Sequence, residues 1–221
     1  AVHPVGRTRH GTLINKLHAR YRASSSERDV VPRLGHRLDR DTSGVVLCVK
    51  NRAVDQVVTD LFTERRVQKT YLAIVGGVPD PDGVIDVPLG PDPEADTKLH
   101  QAVRLDGLPS RSRFRVERAF ADHALVELEP LTGRTHQLRV HLRHLGHPIV
   151  CDHLYGDVRP LSIGWDRPWL LDRLALHAHR LVLPHPVTGE PLTLESQLPD
   201  DMAHAIDGLA AQDAAAARSA S

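Results

Sequence analysis

The chain has 221 residues, of which 41% are hydrophobic and 25% are charged, a composition typical of a folded domain and not of a disordered segment. No apolar run approaches the roughly eighteen residues of a membrane-spanning helix, and the N-terminus lacks the pattern of a signal peptide. The two cysteines, Cys48 and Cys151, are far apart, which disfavours a disulfide scaffold or a thiolate zinc site. We therefore expect a soluble protein of a reducing compartment, the cytoplasm.

The net charge is zero, but the charges are segregated along the chain. Residues 1–71 contain 14 Lys and Arg against 7 Asp and Glu, and residues 132–182 contain 7 against 4, whereas residues 72–131 contain 6 against 11. If the fold brings the two basic segments together, they form a positive surface that attracts phosphate. Solvated charge without a partner explains these counts equally well.

The first predicted elements are two helices that flank a strand. Apolar residues at helical spacing predict a helix within 11–23. The β-branched run 45–49, preceded by Gly44, predicts a short buried strand. Apolar residues on one face predict a second helix within 51–65, with Asn51 as its N-cap.

The middle of the chain is predicted to be mostly strands. Segment 67–77 alternates between polar and apolar residues and ends at paired glycines, which predicts a strand. Segment 80–96 is rich in Pro, Gly and Asp and predicts turns and loops. Segments 111–120 and 124–131 alternate well enough to predict two neighbouring antiparallel strands.

The last third is predicted to contain a helix, a hairpin and a terminal helix. Leucines at helical spacing predict a helix that has Thr135 as its N-cap and ends at Gly146. Segments 180–183 and 191–194 predict a β-hairpin. From Asp200 we expect a helix that gives way to an Ala/Ser-rich tail without function.

Two carboxylates, Asp39 and Asp41, lie in the polar loop ahead of the predicted strand. An Asp in a loop is usually a turn former, a cap or a surface charge, and Asp41 fits that description. Asp39 differs because it lies between Arg37 and Arg40, directly after Leu38 and close to a core strand. A carboxylate at the edge of a core needs a cation to stay ionised.

Three longer sequence blocks share a resemblance to one family. They are HRLDRDTSG (36–44), KTYLAIVGG (69–77) and TGRTHQLRVHLRHLGHPIVCDHLYG (132–156). In order and spacing they resemble the motif blocks of the RluA-type pseudouridine synthases, which isomerise uridines in ribosomal or transfer RNA without a metal or organic cofactor. The resemblance implies an α+β fold with a long, bent, mostly antiparallel mixed sheet flanked by helices and loops.

The resemblance also sets the expected domain organisation. It covers residues 2 to about 195, so we expect a catalytic domain over 1–199 and a terminal helix and tail over 200–221. The family strand that ends in Lys-Pro and the frequent N-terminal RNA-binding module have no counterpart here. Since the chain begins at Ala1, we expect it to be a fragment, and we expect it to act as a monomer.

The resemblance implies three catalytic residues. Asp39 matches the reactive aspartate, Arg134 matches the arginine that pairs with it, and Tyr71 matches the tyrosine that lies against the uracil. Breaking the bond between the base and the ribose leaves positive character on the sugar, which a carboxylate can stabilise or bond to. Asp39 could equally attack the uracil ring or take a proton from the sugar, and the sequence leaves these routes open.

Other matched residues are expected to hold RNA. Arg37 matches the arginine that fills the gap left by the extruded nucleotide, because the reacting bond cannot be reached inside a base stack. Leu138 and Leu176 match the walls of the uracil pocket and are equally good core candidates. We further expect contacts with RNA from a set of basic residues: His36, Arg40 and Arg139, with Arg7, Arg9, Arg33 and Arg143 as further candidates for the backbone.

Two other functions compete with this interpretation. The chain has 15 histidines, and His141 and His144 could share a helix face, as in a metal-dependent hydrolase. However, no HExxH motif is present, and no carboxylate lies between Thr132 and Val150. A non-catalytic RNA-binding module is the second alternative, although a module that only binds has no need for the three catalytic matches together.

Overall fold

The structure is a computed structural model that describes residues 10–23, 30–95, 97, 99–156, 161 and 171–219. The helices are α1 (Leu13–Ala23), α2 (Arg52–Thr63), α3 (Gln137–His144) and α4 (Asp200–Ser219). The strands are β1 (Arg33–Leu34), β2 (Ser43–Gly44), β3 (Cys48–Val49), β4 (Gln68–Gly76), β5 (Asp82–Asp86), β6 (Leu89–Pro91), β7 (Gln101–Val103), β8 (Arg111–Ala119), β9 (His123–Pro130), β10 (Leu176–Pro184) and β11 (Pro191–Glu195).

A central sheet organises the molecule, with strand order β11-β10-β4-β9-β8-β5. These neighbours are antiparallel, while β2 joins the sheet by pairing with β10 in parallel. The register shifts between Ala178 and Arg180 and between Val116 and Arg118, and such irregularities bend strands. The predicted α+β class with a mostly antiparallel mixed sheet is confirmed.

The main core lies where the middle of the sheet meets α3 and α4. Strands β4 and β9 contribute side chains that are fully buried, among them Ile74, Val126 and Leu128. The terminal helix α4 contributes a stripe of four: Met202, Ala205, Ile206 and Leu209. Helix α4 therefore packs on the sheet through its first three turns. Within the described ranges, no helix combines the length and apolarity needed to cross a membrane.

Several predicted elements are confirmed. Helix α1 and strand β4 lie within their predicted segments, β8 pairs with β9, and β10 and β11 form the predicted hairpin. Asn51 caps α2, since its Oδ1 accepts a hydrogen bond from the Ala53 N–H at 2.9 Å. These elements were predictable because periodicity and capping are local properties of the chain.

Two strand predictions need correction. The run 45–49 is not one strand, because only its last two residues are in a strand, β3, which pairs with β1. Strand β2 ends just before the run and pairs with β10 in another sheet. Segment 80–96 is not all loop, because β5 pairs with β8 and β6 pairs with β7. Ile85 is 5% exposed there, so pairing and burial override the weak strand propensity of Pro, Gly and Asp.

Two helix boundaries also differ from prediction. Thr135 does not cap α3, whose N-cap is His136 in a left-handed conformation (φ 54°) without a side-chain cap bond. The terminal segment does not degrade after its first turns, because α4 continues to Ser219. Alanine has the highest helix propensity, so the Ala-rich segment extends the helix instead of ending it.

Candidate active site

The loop that carries Asp39 is fixed by the pairing of β2 with β10. Ser43 lies opposite His177 and Gly44 opposite Ala178, and the side chains of Ser43 and His177 are hydrogen-bonded at 2.9 Å. Gly44 has φ +112°, and a Cβ at this position would overlap the backbone of Ala178. Only glycine suits this conformation and this close approach, so the glycine of the first motif brings the loop against the sheet.

The loop forms one wall of a cleft with a volume of about 320 Å³, a size suited to a small group such as a base. Strand β4, the segment 132–136, the start of α3 and Leu176 form the remaining walls. The cleft brings together nearly all the predicted site residues: His36, Arg37, Asp39, Tyr71, Arg134, Leu138, Arg139 and Leu176. Arg40 is absent from this lining and forms an exposed ion pair with Asp41 at 3.3 Å.

The cation beside Asp39 is Arg139 and not the predicted Arg134. Arg139 Nη1 lies 3.3 Å from Asp39 Oδ2, and the Asp39 side chain is 20% exposed. Arg134 lines the cleft, but its Nε donates to the Pro109 carbonyl at 3.2 Å. The correction has a geometric reason: Arg139 lies in the first turn of α3 and is buried, while Arg134 lies in the loop before the helix.

Arg139 is held from its other side by Asp152. Arg139 Nε and Nη2 donate to the two carboxylate oxygens at 2.8 and 2.6 Å, and Asp152 is 1% exposed. Burial alone would lower the pKa of Arg139, but Asp152 and then Asp39 raise it above its ordinary value. The Arg139 guanidinium is thus occupied by two carboxylates, and its expected contact with RNA stays a prediction.

His136 approaches Asp39 from the helix N-terminus. Its Nε2 lies 3.9 Å from Asp39 Oδ1, and its Nδ1 is hydrogen-bonded to the Tyr155 hydroxyl at 2.7 Å. That hydroxyl accepts a hydrogen bond from the Gln101 N–H at 2.9 Å, and the Arg139 guanidinium lies 5.0 Å from the Tyr155 ring centroid. Burial lowers the pKa of His136 despite the opposing effect of Asp39, so the imidazole is neutral at pH 7.

Sequence reasoning missed the parts played by Asp152, His136 and Tyr155. All three lie in the third motif block, 132–156, so their membership of that block was the available signal. Their contacts with Arg139 and Asp39 join residues from both ends of the block to a loop about a hundred residues away. Such contacts become visible only when the chain is folded.

Tyr71 presents a neutral phenol to the cleft. Burial first, and the negative charge of Asp39 second, raise the pKa of Tyr71 to about 12. In the sheet, Tyr71 lies between Ala178 of β10 and Leu128 of β9. A ring held in this way offers a rigid face for a planar ligand.

Leu138 and Leu176 belong both to the core and to the lining of the cleft, and their expected role as walls of a uracil pocket stays a prediction. They are 7% and 3% exposed, belong to the main core, and line the cleft. The floor of the cleft is therefore the outer layer of the core. This arrangement gives the site a rigid apolar base.

His36 lies in the cleft as a neutral group and not as a cation. Its Nε2 accepts a hydrogen bond from the Leu47 N–H at 2.9 Å, and its ring stacks on Phe62 at 5.2 Å. Burial lowers the pKa of His36 to about 4. His36 therefore shapes the wall as a neutral ring, and its expected contact with RNA stays a prediction.

The remaining basic residues fall into three groups. Arg37 is exposed at the cleft, and Arg143 is exposed on α3. Arg33 forms an ion pair with Asp55 at 3.0 Å. Arg7 and Arg9 lie outside the described residues.

Gln137 holds the loop that precedes α3. Its Oε1 accepts hydrogen bonds from the Thr132 hydroxyl at 2.7 Å and the Arg134 N–H at 3.0 Å. Its Nε2 donates to the Arg111 carbonyl and the Ser112 hydroxyl, both at 2.9 Å. The amide uses its donor and acceptor groups together, so Gln137 fixes the wall of the cleft to β8.

The histidines considered as metal ligands lie apart from the cleft. His141 is fully buried and hydrogen-bonded through Nδ1 to Ser112 Oγ at 3.0 Å, while His144 is exposed. Burial lowers the pKa of His141 to about 4. Across the described part of the chain, no three His, Cys, Asp or Glu side chains group in a way that could hold a metal ion.

Comparisons with known proteins agree with this geometry. A family model described as RNA pseudouridylate synthase matches residues 4–144. An uncharacterised RNA pseudouridine synthase of Chloroflexus aurantiacus is 41% identical over 201 residues, which are 91% of this chain and 61% of that protein. The ribosomal large subunit pseudouridine synthase D of Nitrosomonas europaea is 41% identical over 206 residues, 91% of this chain and 58% of that protein. The chain thus spans about three fifths of these relatives.

Solved structures show the same likeness. The human RNA Pseudouridylate Synthase Domain Containing 4 superposes with a TM-score of 0.74 at 29% identity, covering 95% of this chain and 87% of the other. The human RNA Pseudouridylate Synthase Domain Containing 1 gives a TM-score of 0.65 at 34% identity, covering 85% and 74%. The family match covers more than half of the chain. The curated relatives align over 91% of the chain, so their similarity extends past the end of the family match. The chain therefore belongs to the RNA pseudouridylate synthase family.

Proposed function

We propose that this chain isomerises uridine to pseudouridine in RNA, with Asp39 as the reactive carboxylate. The observation that carries the proposal is the placement of Asp39 in a base-sized cleft, ion-paired with the buried Arg139 and facing the side where Tyr71 lies. Membership of the family supports the reaction class. Metal and organic cofactors have no part in the proposal.

The reaction rearranges bonds within one nucleotide. The bond from uracil N1 to ribose C1′ breaks, the uracil turns, and a bond from C5 to C1′ forms. The proton on C5 is lost, and N1 takes up a proton, so the product is an isomer of the substrate. A fixed carboxylate close to the sugar can stabilise the positive character that develops when the first bond breaks.

The cleft supplies the other requirements of this chemistry. The neutral ring of Tyr71 would stack on the detached uracil, an interaction worth about 1–3 kcal/mol per base, while Leu138 and Leu176 exclude water beneath it. The exposed Arg37 at the cleft would stack in the gap left by the flipped nucleotide. Base flipping costs a few kcal/mol, which such contacts partly offset.

We propose ribosomal RNA as the first substrate class to test, and transfer RNA as the second. Support for ribosomal RNA comes from relatives named ribosomal large subunit pseudouridine synthase D, among them the protein of Nitrosomonas europaea. We further propose that the protein acts in the cytoplasm as a monomer. Pseudouridine mapping of total RNA from cells with and without the gene identifies the modified uridine.

The chain offers a matched pair of variants to test the reaction. Asp39→Asn should abolish pseudouridine formation while RNA binding is largely retained. Asp41→Asn changes the same chemical group two residues away, where the carboxylate is exposed and forms an ion pair with Arg40, and should remain active. Undiminished product with Asp39→Asn contradicts the mechanism. RNA binding by the wild-type protein without product in any RNA class favours the non-catalytic binding module.

A further inference from the structure

A second groove continues from the cleft at the end of the sheet where β4 begins and β9 ends. It is lined by segment 62–69 of the α2–β4 connection on one side and by segment 129–134 on the other. Phe62, Lys69 and Arg134 line both the cleft and this groove. The two depressions are therefore contiguous, and a strand of RNA whose nucleotide enters the cleft could continue into the groove.

Unpaired cations are concentrated in this groove. Arg65, Lys69 and Arg134 line it, and within the described chain none of them has a carboxylate within 4 Å. By contrast, Glu129, the acid of the groove lining, is paired with Arg113 at 3.2 Å. Counted over the described residues, the groove therefore carries positive charge that no carboxylate compensates.

Lys69 is the most constrained of these cations. It is half-buried, and its Nζ lies against the Gly133 backbone, 3.7 Å from where a Cβ of that residue would be. Burial, and then the charge of Arg65, lower the pKa of Lys69. Placing an ammonium group there without an anion is unfavourable, so an external anion bound there would stabilise the charged form of Lys69.

Lys69 lies close to the position that a substrate nucleotide would take in the cleft. Lys69 and Tyr71 are two residues apart on β4, so their side chains lie on the same face of the sheet, about 7 Å apart along the strand. A nucleotide whose base stacks on Tyr71 would have its sugar near Asp39 and a neighbouring phosphate near Lys69.

We propose that Lys69, together with Arg65 and Arg134, binds a backbone phosphate of the substrate RNA adjacent to the flipped uridine. The inference rests on the proposed function for the identity of the ligand. It assigns to Lys69 a binding role that is separate from the chemistry of Asp39. The groove would then hold the substrate strand on one side of its reactive nucleotide.

The test measures the affinity of a short single-stranded oligouridine over a series of KCl concentrations. Each phosphate contact with a single strand contributes a slope of about −0.7 to log K against log salt. Lys69→Met should weaken binding about threefold to tenfold and reduce the slope by about 0.7, and Lys69→Arg should restore both. Lys16→Met removes the same charge from an exposed site on α1 and should change neither.

A neutral backbone distinguishes phosphate from other contacts. The penalty of Lys69→Met should disappear on an oligouridine whose linkages are methylphosphonates. A wild-type salt slope in folded Lys69→Met, an equal loss in Lys16→Met, or a penalty that persists on the neutral oligomer overturns the proposal. These experiments measure binding and do not depend on product formation. They can therefore support the phosphate site even if Asp39→Asn stays active and the proposed mechanism is wrong.

Discussion

Exchanging either arginine of the third motif for methionine tests which one holds Asp39. Arg139 is buried between Asp39 and Asp152, whereas Arg134 donates to a backbone carbonyl from the loop. Arg139→Met should therefore be strongly destabilising and should abolish the proposed activity. Arg134→Met should leave the stability within about 1 kcal/mol of wild type.

The expected size of the effect follows from what remains around Asp152. Breaking a buried ion pair costs about 3–5 kcal/mol, because one charge stays buried without its partner. Asp152 Oδ1 keeps hydrogen bonds from the Leu154 and Tyr155 N–H groups at 3.0 and 3.2 Å, so we expect about 3 kcal/mol, the lower end of that range. For a chain of this length, this loss corresponds to a decrease in melting temperature of about 6–12 °C.

Thermal and denaturant unfolding, monitored by circular dichroism, measure this difference. The double variant Arg139→Met/Asp152→Asn should recover part of the lost stability, because it removes the unpaired charge while an amide oxygen still accepts the two N–H groups. Equal melting temperatures for Arg139→Met and wild type, or a larger loss in Arg134→Met, would refute the assignment of Arg139 as the partner of Asp39.

Three further predictions concern the loop, the buried histidines and the tyrosine. Gly44→Ala should destabilise the protein by several kcal/mol and abolish activity, because the new Cβ would collide with the Ala178 backbone at positive φ; a wild-type unfolding midpoint would contradict this. The pKa of His36 and that of His141 are lowered from 6.5 to about 4, so the unfolded chain binds protons in this range that the native state does not. The stability that these two neutral histidines contribute, at most about 3 kcal/mol each, is present above pH 6.5 and is lost as the pH falls towards 4. Unfolding midpoints measured across this range should decrease for wild type and decrease less for His141→Gln. Parallel curves for the two proteins would contradict the assignment. Because burial and Asp39 raise the pKa of Tyr71 to about 12, the pH profile of activity between pH 7 and pH 9 should show no step from ionisation of this phenol. If the ring acts by stacking, single-turnover rates should fall far more in Tyr71→Ala than in Tyr71→Phe.

Much of the fold could be predicted because its signals are local. The capping of α2 by Asn51 depends on two neighbouring residues, and the strands β8 and β9 depend on alternation within one segment. The strand β5 could not be predicted in this way. Its sequence favours turns, and it is a strand only because the edge of β8 is available for pairing and Ile85 reaches the core.

The candidate site, too, was predictable only in part, and for the same reason. Motif resemblance indicated Asp39, Tyr71 and the leucines of the cleft, because the identity and order of residues within blocks are visible in the sequence. It assigned the cation to the wrong arginine, because Arg134 and Arg139 are both in the block and the motif does not state which one points at Asp39. The start of α3 decides this, because it places Arg139 in the buried first turn of the helix and leaves Arg134 in the preceding loop.

The sequence by itself determined the family and most of the secondary structure, and it predicted Asp39 as the reactive carboxylate, because these inferences depend on residue identity, order and local periodicity. Only the tertiary structure decided the electrostatic partners: Arg139 between Asp39 and Asp152, neutral imidazoles at His36 and His136, and Lys69 without a carboxylate among the described residues. The physical reason is that charge pairing and desolvation depend on distances and burial among residues remote in sequence, which are fixed only when β2 joins β10 and α3 packs against the sheet.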